Sequence, residues 1–397
     1  MILKADLPRE CGNGNDERRN YTGIAVHLAI LANNRHSFNR TIAEGLARMT
    51  RACGATAEVH VDGLDALAMP LSVDLGSARS AVGSSVRLIR HRGMFDGLVE
   101  RVSSSDAIII VAHVPISFAR GTLSNIERLR ERLPWIPIVN YAHYYLPTVD
   151  KWGPAMLRGV KTGLTEDDQR NFRRGSFGMN RYDWYLVASV ASEIPLPPFP
   201  QPYSLVGVNI DDGSLFPEQN GEVRALIDFA QNRMNYPAFR KTQIAALERT
   251  GIPYRILEGQ FSRAEIREIY RHTAVFFLAH RESFGLPICE LQACGATIFT
   301  PKPEWAGAHW IKEDLTLPGP GYLSPNFWVY DDDVAKLTEQ LETLRSSFDP
   351  AQNLRTFKQF HPHLYRGDPE ALADFLSRLE DRSINSATHR DHERIGV

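Results

Sequence analysis

The sequence predicts an α/β fold of two doubly wound domains, each a parallel sheet covered by helices. Three observations predict it. Strand-like apolar runs alternate with amphipathic helical segments along both halves of the chain. The clearest strand, "DAIIIVAHV" from Asp106 to Val114, is almost continuously apolar, as strands are when helices cover both faces of a sheet. The 397 residues exceed what one ordinary core organises, and five prolines between Pro195 and Pro202 interrupt the chain near its middle.

Residues 1–22 are polar and aperiodic and read as a disordered leader. The first domain is placed at 23–192. "GIAVHLAIL" is a buried strand. "SFNRTIAEGLARMTRACG" follows as a helix, with Ile42, Leu46 and Met49 at helical spacing and Gly54 as its stop. "TAEVHV" completes a strand–helix–strand unit. After Asp106–Val114 come the helix "LSNIERLRERL" and the strands "IPIVNYAHYY" and "RYDWYLVAS". Residues 193–220 read as a proline-rich linker and domain crossover, because prolines exclude a central strand.

The second domain is placed at 221–382, and 383–397 reads as a tail. "VRALIDFA", "YRILEG", "AVFFLAH" and "ATIFTP" are its strands. "RKTQIAALERTG", "RAEIREIYRHT" and residues 287–294 are the intervening helices. "DDDVAKLTEQLETLRSS" and "DPEALADFLSRLED" are later helices with acidic starts, which suit the helix dipole.

The bulk properties narrow the function. Hydrophobic residues make up 43% of the chain and the formal net charge is −2, so an overall basic nucleic-acid binder is excluded. Cys11, Cys53, Cys289 and Cys294 form no Cys-x-x-Cys pair and read as reduced thiols of a cytoplasmic protein. No apolar run approaches the roughly 20 residues that span a bilayer.

The stretch "HRESFGLPICELQACG" carries the most chemistry. Glu282 and Glu290 flank a turn and a helix start, with seven residues between them. Glu282 lies just past the carboxyl end of a strand. Gly285 permits close backbone approach, and Pro287 suits the first helical position, where its missing N–H costs nothing. Glu290 is expected in about the first turn. Free N–H groups at a helix start bind anions, and carboxylates on either side accept bonds from hydroxyl groups. That geometry suits a sugar, a diphosphate and a ribose in that order. Glutamates are also common in first turns for the dipole alone, so spacing by itself leaves the reading open.

The whole string "ESFGLPICELQACGATIFTP" resembles the Glu-x7-Glu signature of retaining GT-B glycosyltransferases of the family 4 type. Phe284, Gly285, Leu286, Pro287, Glu290, Ala293 and Gly295 match it, and Leu291 replaces the usual Ala. "VNIDDGSLFP" resembles a second segment of that family through Asn209, Asp212, Phe216 and Pro217, with Ile210 where Gly is usual. The resemblance covers about residues 180–300 well and the first half only in its alternation.

The resemblance implies a GT-B fold, two Rossmann-like domains facing a cleft. It implies an enzyme that moves a sugar from a nucleotide sugar, UDP- or GDP-linked, with retention of anomeric configuration and without a metal or other cofactor. Glu282 would contact the donor sugar and Glu290 the ribose. The backbone of Ser283, Phe284, Gly285 and Leu286 would meet the diphosphate, with Gly259 and Gln260 near the base. Arg233, Arg240 and Lys241 are the candidates to neutralise the departing diphosphate, although the family's usual Gly-Arg and Lys-Gly string is absent. His143, at a strand end of the first domain, would lie near the donor sugar, and His113 ends the neighbouring strand. Asn34, Arg35 and His36 follow the first strand where the family has a glycine-rich loop, so the acceptor side departs from the pattern. The acceptor would be a sugar, a lipid-linked molecule or a small molecule.

Other features have plainer readings. Tyr330–Asp333 "YDDD" precedes a helix and reads as its cap, not as a metal site. His361 and His363 lack the partners of a zinc site. "RLIRHRG" from Arg87 to Gly93 reads as a solvated helix face, with peripheral contact to anionic lipid as the alternative. Two rival functions stand beside the transferase. One is another sugar-nucleotide enzyme of epimerase type. The other is a non-enzymatic two-domain sugar-binding or sensory protein, which the opening 29–61 segment also resembles.

Overall fold

The computed structural model describes residues 25–32, 37–67, 92–111, 122–145, 182–191, 201–228, 237–279, 282, 284–313 and 321–384. The first lobe runs β1 (His27–Leu31), α1 (Ser37–Ala52), β2 (Thr56–His60), α2 (Gly63–Leu67), α3 (92–102), β3 (Ala107–Val111), α4 (Thr122–Arg132), β4 (Ile138–Tyr145), β5 (Trp184–Ser189) and β6 (Tyr203–Leu205). Its strands pair in parallel in the order β2-β1-β3-β4-β5-β6. Successive residues along β1 go to opposite cores. Leu28 and Ile30 pack with α1, while Ala29 and Leu31 pack with α2, α3 and α4. That two-sided burial is why these strands read as continuous apolar runs.

The second lobe runs β7 (Ala225–Ile227), α5 (Pro237–Thr250), β8 (Tyr254–Ile256), α6 (Arg263–Arg271), β9 (Val275–Phe277), α7 (Leu286–Ala293) and β10 (Thr297–Thr300). A 3-10 turn at Pro303–His309, a short antiparallel pair β11 (Trp310–Ile311) and β12 (Tyr322–Leu323), and β13 (Phe327–Val329) follow. The parallel order is β13-β10-β9-β7-β8. Helices α8 (Val334–Ser347), α9 (Pro350–Phe360), α10 (Pro362–Tyr365) and α11 (Pro369–Glu380) complete the chain. The expected doubly wound α/β class is therefore present twice.

Aspartates start three of the last four helices. Asp333 accepts from the N–H groups of Ala335 and Lys336, Asp349 from Gln352, and Asp368 from Ala371. The "YDDD" run thus caps a helix, as its position predicts.

Two segments differ from the sequence expectation. Tyr203–Leu205, inside the stretch read as linker, pairs with β5 as the sixth strand of the first sheet. It does so as an edge strand, a place where nearby prolines are tolerated. Helix α11, placed by sequence in the second domain, packs on α1 and β6, with Phe375 6.3 Å from Trp184 between ring centroids. The chain thus returns to the first lobe at its end. The crossing segments pair with each other: Val208 N–H donates to His363 O at 2.7 Å and Ile210 N–H to Tyr365 O at 3.0 Å.

Candidate functional site

In each sheet the chain order reverses beside the first strand. In the second lobe that point lies between β7 and β9. The carboxyl ends of strands at such a point form the crevice where open α/β sheets bind ligands. Glu282 follows β9 there, and its backbone N–H donates to Trp305 O at 3.0 Å, which tethers the turn to the 3-10 segment. Glu282 is half-buried.

Gly285 makes the turn. Its φ is +57°, and a Cβ there would lie 2.5 Å from Glu282 Cγ and 2.7 Å from Ile288 Cδ1. Only glycine fits. Gly285 O then accepts from Ile288 and Cys289 to start α7, with proline in its first turn. Phe284 is buried, and its ring stacks on His309 at 6.4 Å. His309 Nε2–H donates to Phe284 O at 2.5 Å, while Nδ1 accepts from Gln292 at 3.2 Å. These two bonds set the neutral tautomer, and burial pushes the imidazole down to about 4.

Glu290 sits in the second turn of α7, not the first, because the helix begins at Leu286. It is 6% exposed. Its Oε1 accepts two bonds from Arg267 of α6, from Nε at 3.0 Å and Nη2 at 2.7 Å. Arg267 is itself buried, and its Nη1 donates to Asp212 and, at 2.6 Å, to Ser214 Oγ. Burial pushes the Glu290 carboxyl up, against the pull of Arg267. Asp212 is held down to about 2: its bonds from Ser214 and Arg267, with the Arg267 charge, outweigh the opposing effect of burial.

The network continues across the lobes. Arg263 bridges Asp212 and Glu44 of α1, each at 2.7 Å. Arg48 of α1 donates to Asn209 O at 2.7 Å. Arg271, one turn further along α6, donates to Glu218 and Glu268 and stacks on Phe216 at 5.1 Å. The four-residue spacing of Arg263, Arg267 and Arg271 marks one helix face. That stripe is visible in the sequence, but most of its acidic partners come from three other segments, α1, residues 212–218 and α7, and are not.

The cations fall as follows. Arg240 of α5 donates through Nη2 to Asp228 O, at the end of β7, at 2.7 Å. It therefore sits at the same carboxyl end of the sheet as Glu282. Lys241 is exposed on α5. Gly259 and Gln260 form the exposed turn between β8 and α6, with φ of +95° at Gly259. Arg233, Ser283, His113, Asn34, Arg35 and His36 lie outside the described residues, as does the side chain of His143 on β4.

Among the described residues one metal-ligating group occurs, Glu218, Glu268 and His272. Arg271 already neutralises both of its carboxylates. No helix among the described residues is long and apolar enough to cross a membrane.

No protein-family model matches the chain, and no curated protein sequence does. Solved structures align with it at low identity. A trehalose-phosphate synthase (UDP-forming) from Burkholderia xenovorans, in complex with glucose-6-phosphate, is 10% identical over 89% of this chain and 100% of its own, with a TM-score of 0.46. A trehalose 6-phosphate synthase from Burkholderia multivorans is 13% identical over 92% and 98%, with a TM-score of 0.45. An Anabaena protein in complex with UDP-glucose is 10% identical over 89% and 98%, also with a TM-score of 0.45. At these values the likeness carries no inference about ligand or reaction.

Proposed function

We propose that the chain is a GT-B glycosyltransferase of family 4 type, moving a sugar from a UDP- or GDP-linked donor to a sugar, lipid-linked or small-molecule acceptor with retention. One observation carries the reading. At the switch point of the second sheet, just past the end of β9, a glycine-only turn and a helix start stand between Glu282 and Glu290.

In this reading Glu282 binds the donor sugar, the backbone of residues 283–286 meets the diphosphate, and Glu290 takes the ribose. Gly259 and Gln260 lie beside the base. Arg240, tethered at the end of β7, neutralises the departing diphosphate, with Arg233 and Lys241 as further cations. His143 and His113 approach the sugar from the first lobe, where Asn34, Arg35 and His36 border the acceptor. No carboxylate nucleophile is needed. The acceptor attacks on the face that the diphosphate leaves, and catalysis is positioning plus stabilisation of the leaving charge. The reading requires no metal and places the protein in the cytoplasm, with peripheral membrane contact for a lipid-linked acceptor.

A thermal-shift screen of UDP-, GDP-, ADP- and TDP-sugars tests it, because ligands of the folded state raise apparent stability. One donor class raises Tm in the parent and fails to do so in Glu282→Ala and Glu290→Ala. Equal shifts in all three proteins overturn the reading. Conversion of the donor without an acceptor assigns an epimerase-type reaction instead, and binding of free sugar alone assigns a sugar-binding protein.

A further inference from the structure

Resting on the assignment of Glu290 to the ribose, we propose that Arg267 is the positioning residue of the donor site. It clamps Oε1 of Glu290 and so reserves Oε2, in an ionised carboxylate, for the ribose hydroxyls of a ribonucleoside diphosphate.

The geometry is specific. Two guanidinium donors fall on one oxygen, Oε1, and together they fill both of its lone-pair sites. Among the described residues Oε2 has no hydrogen-bond partner. The third nitrogen of Arg267 is anchored by Asp212 and Ser214, and Asp212 is held in turn by Arg263. The guanidinium is therefore fixed on both sides and cannot follow Glu290 if its rotamer changes.

The clamp also sets the charge. A carboxylate this buried takes up a proton unless a cation faces it. A neutral carboxyl is a poorer acceptor for hydroxyl donors than a carboxylate. The groups that bear on Glu290 are Arg267 and Arg263 from α6, Asp212 from the crossing segment, Tyr270, Cys289 and Cys294. Of these only the two arginines favour its charged form, and only Arg267 touches it.

The test is calorimetric binding of UDP and GDP to the full chain between pH 5.5 and 8.5. The proteins are the parent, Arg267→Met, Arg267→Lys, Glu290→Gln and the Arg267→Met/Glu290→Gln double variant. Glu290→Gln is expected to weaken the preferred nucleotide about tenfold, the scale of one charge-assisted hydrogen bond. Arg267→Met weakens it about equally at neutral pH, and its loss relative to the parent deepens as pH falls. Arg267→Lys restores the parent's pH profile and part of the affinity. The double variant binds no worse than Glu290→Gln alone, the non-additivity of residues that act as one unit.

Additive losses, or an Arg267→Met profile parallel to the parent, overturn the proposal. If Arg267→Met does not fold, the neutral Arg267→Gln takes its place in the same cycle. Failure of the donor reading looks different: neither nucleotide binds the parent, or Glu290→Gln binds as the parent does.

Discussion

The two faces of the second sheet are built from different material. On the α5 and α8 side the core is apolar, with aliphatic side chains such as Leu247, Leu337 and Leu341 packed round a few aromatic rings. Phe277 and Phe299 lie 5.2 Å apart between ring centroids, and Phe277 packs edge-on against Tyr330 at 5.8 Å. On the α6 and α7 side the same sheet covers the Arg267–Glu290 pair and three buried histidines, His309, His361 and His363, with ring centroids 5.8 and 5.9 Å apart in succession. Buried ion pairs and unprotonated imidazoles are weak sources of stability, because their desolvation offsets most of what they gain. The polar face is also the one that borders the Gly285 turn. Its groups hold geometry, and the apolar face holds the lobe together.

Acid should separate the faces most widely. Burial pushes His309 and His363 down to about 4 and His361 well below the usual range. A base depressed in the folded state contributes its full stability above its unfolded pKa of about 6.5 and loses it as pH falls, at about 1.4 kcal/mol per pH unit for each histidine. Stability should therefore drop steeply from pH 6.5 towards 4. Urea melts of the parent and of His361→Phe check this, and the variant should show a shallower slope.

Phe277→Ala should cost ~3–5 kcal/mol as a core truncation. Its pH slope should match that of the parent, because the ring it contacts, Tyr330, stays protonated throughout this acid range. An altered slope in the same melts would break the contrast between the faces.

Gly285→Ala should cost ~1–3 kcal/mol, since the new Cβ needs an unfavourable backbone and displaces Glu282. Its loss of nucleotide-sugar binding should exceed its loss of stability, as thermal shift with and without UDP-sugar would show. The smallest effect belongs to a remote cap: Asp333→Ala should cost ~1 kcal/mol with donor binding unchanged.

Much of this was legible in the sequence, for identifiable reasons. Strands β1, β3 and β5 announce themselves because both faces are buried, and α7 because Gly285 and Pro287 punctuate it. The three-residue strands β6 and β13 are too short to show a period. In the site, Glu290 was visible as a carboxylate but its engagement by Arg267 was not, because the pair is 23 residues apart and joined only by packing. His309 had no signal at all, since a lone histidine near a tryptophan suggests nothing about the carbonyl of Phe284.

The paired crossing segments have a mechanical consequence. The second lobe is an insert: the chain enters it through residues 206–211 and leaves through 361–366, and these two stretches are hydrogen-bonded to each other. A single tether would let the lobes swing in any direction. A bonded double ribbon is stiff against splaying and shear and soft chiefly in torsion along its own length. Any opening between the lobes is thereby channelled into one twist, and that twist would turn Asn209 and Arg366, a bridged pair in the ribbon, against Arg48 of α1.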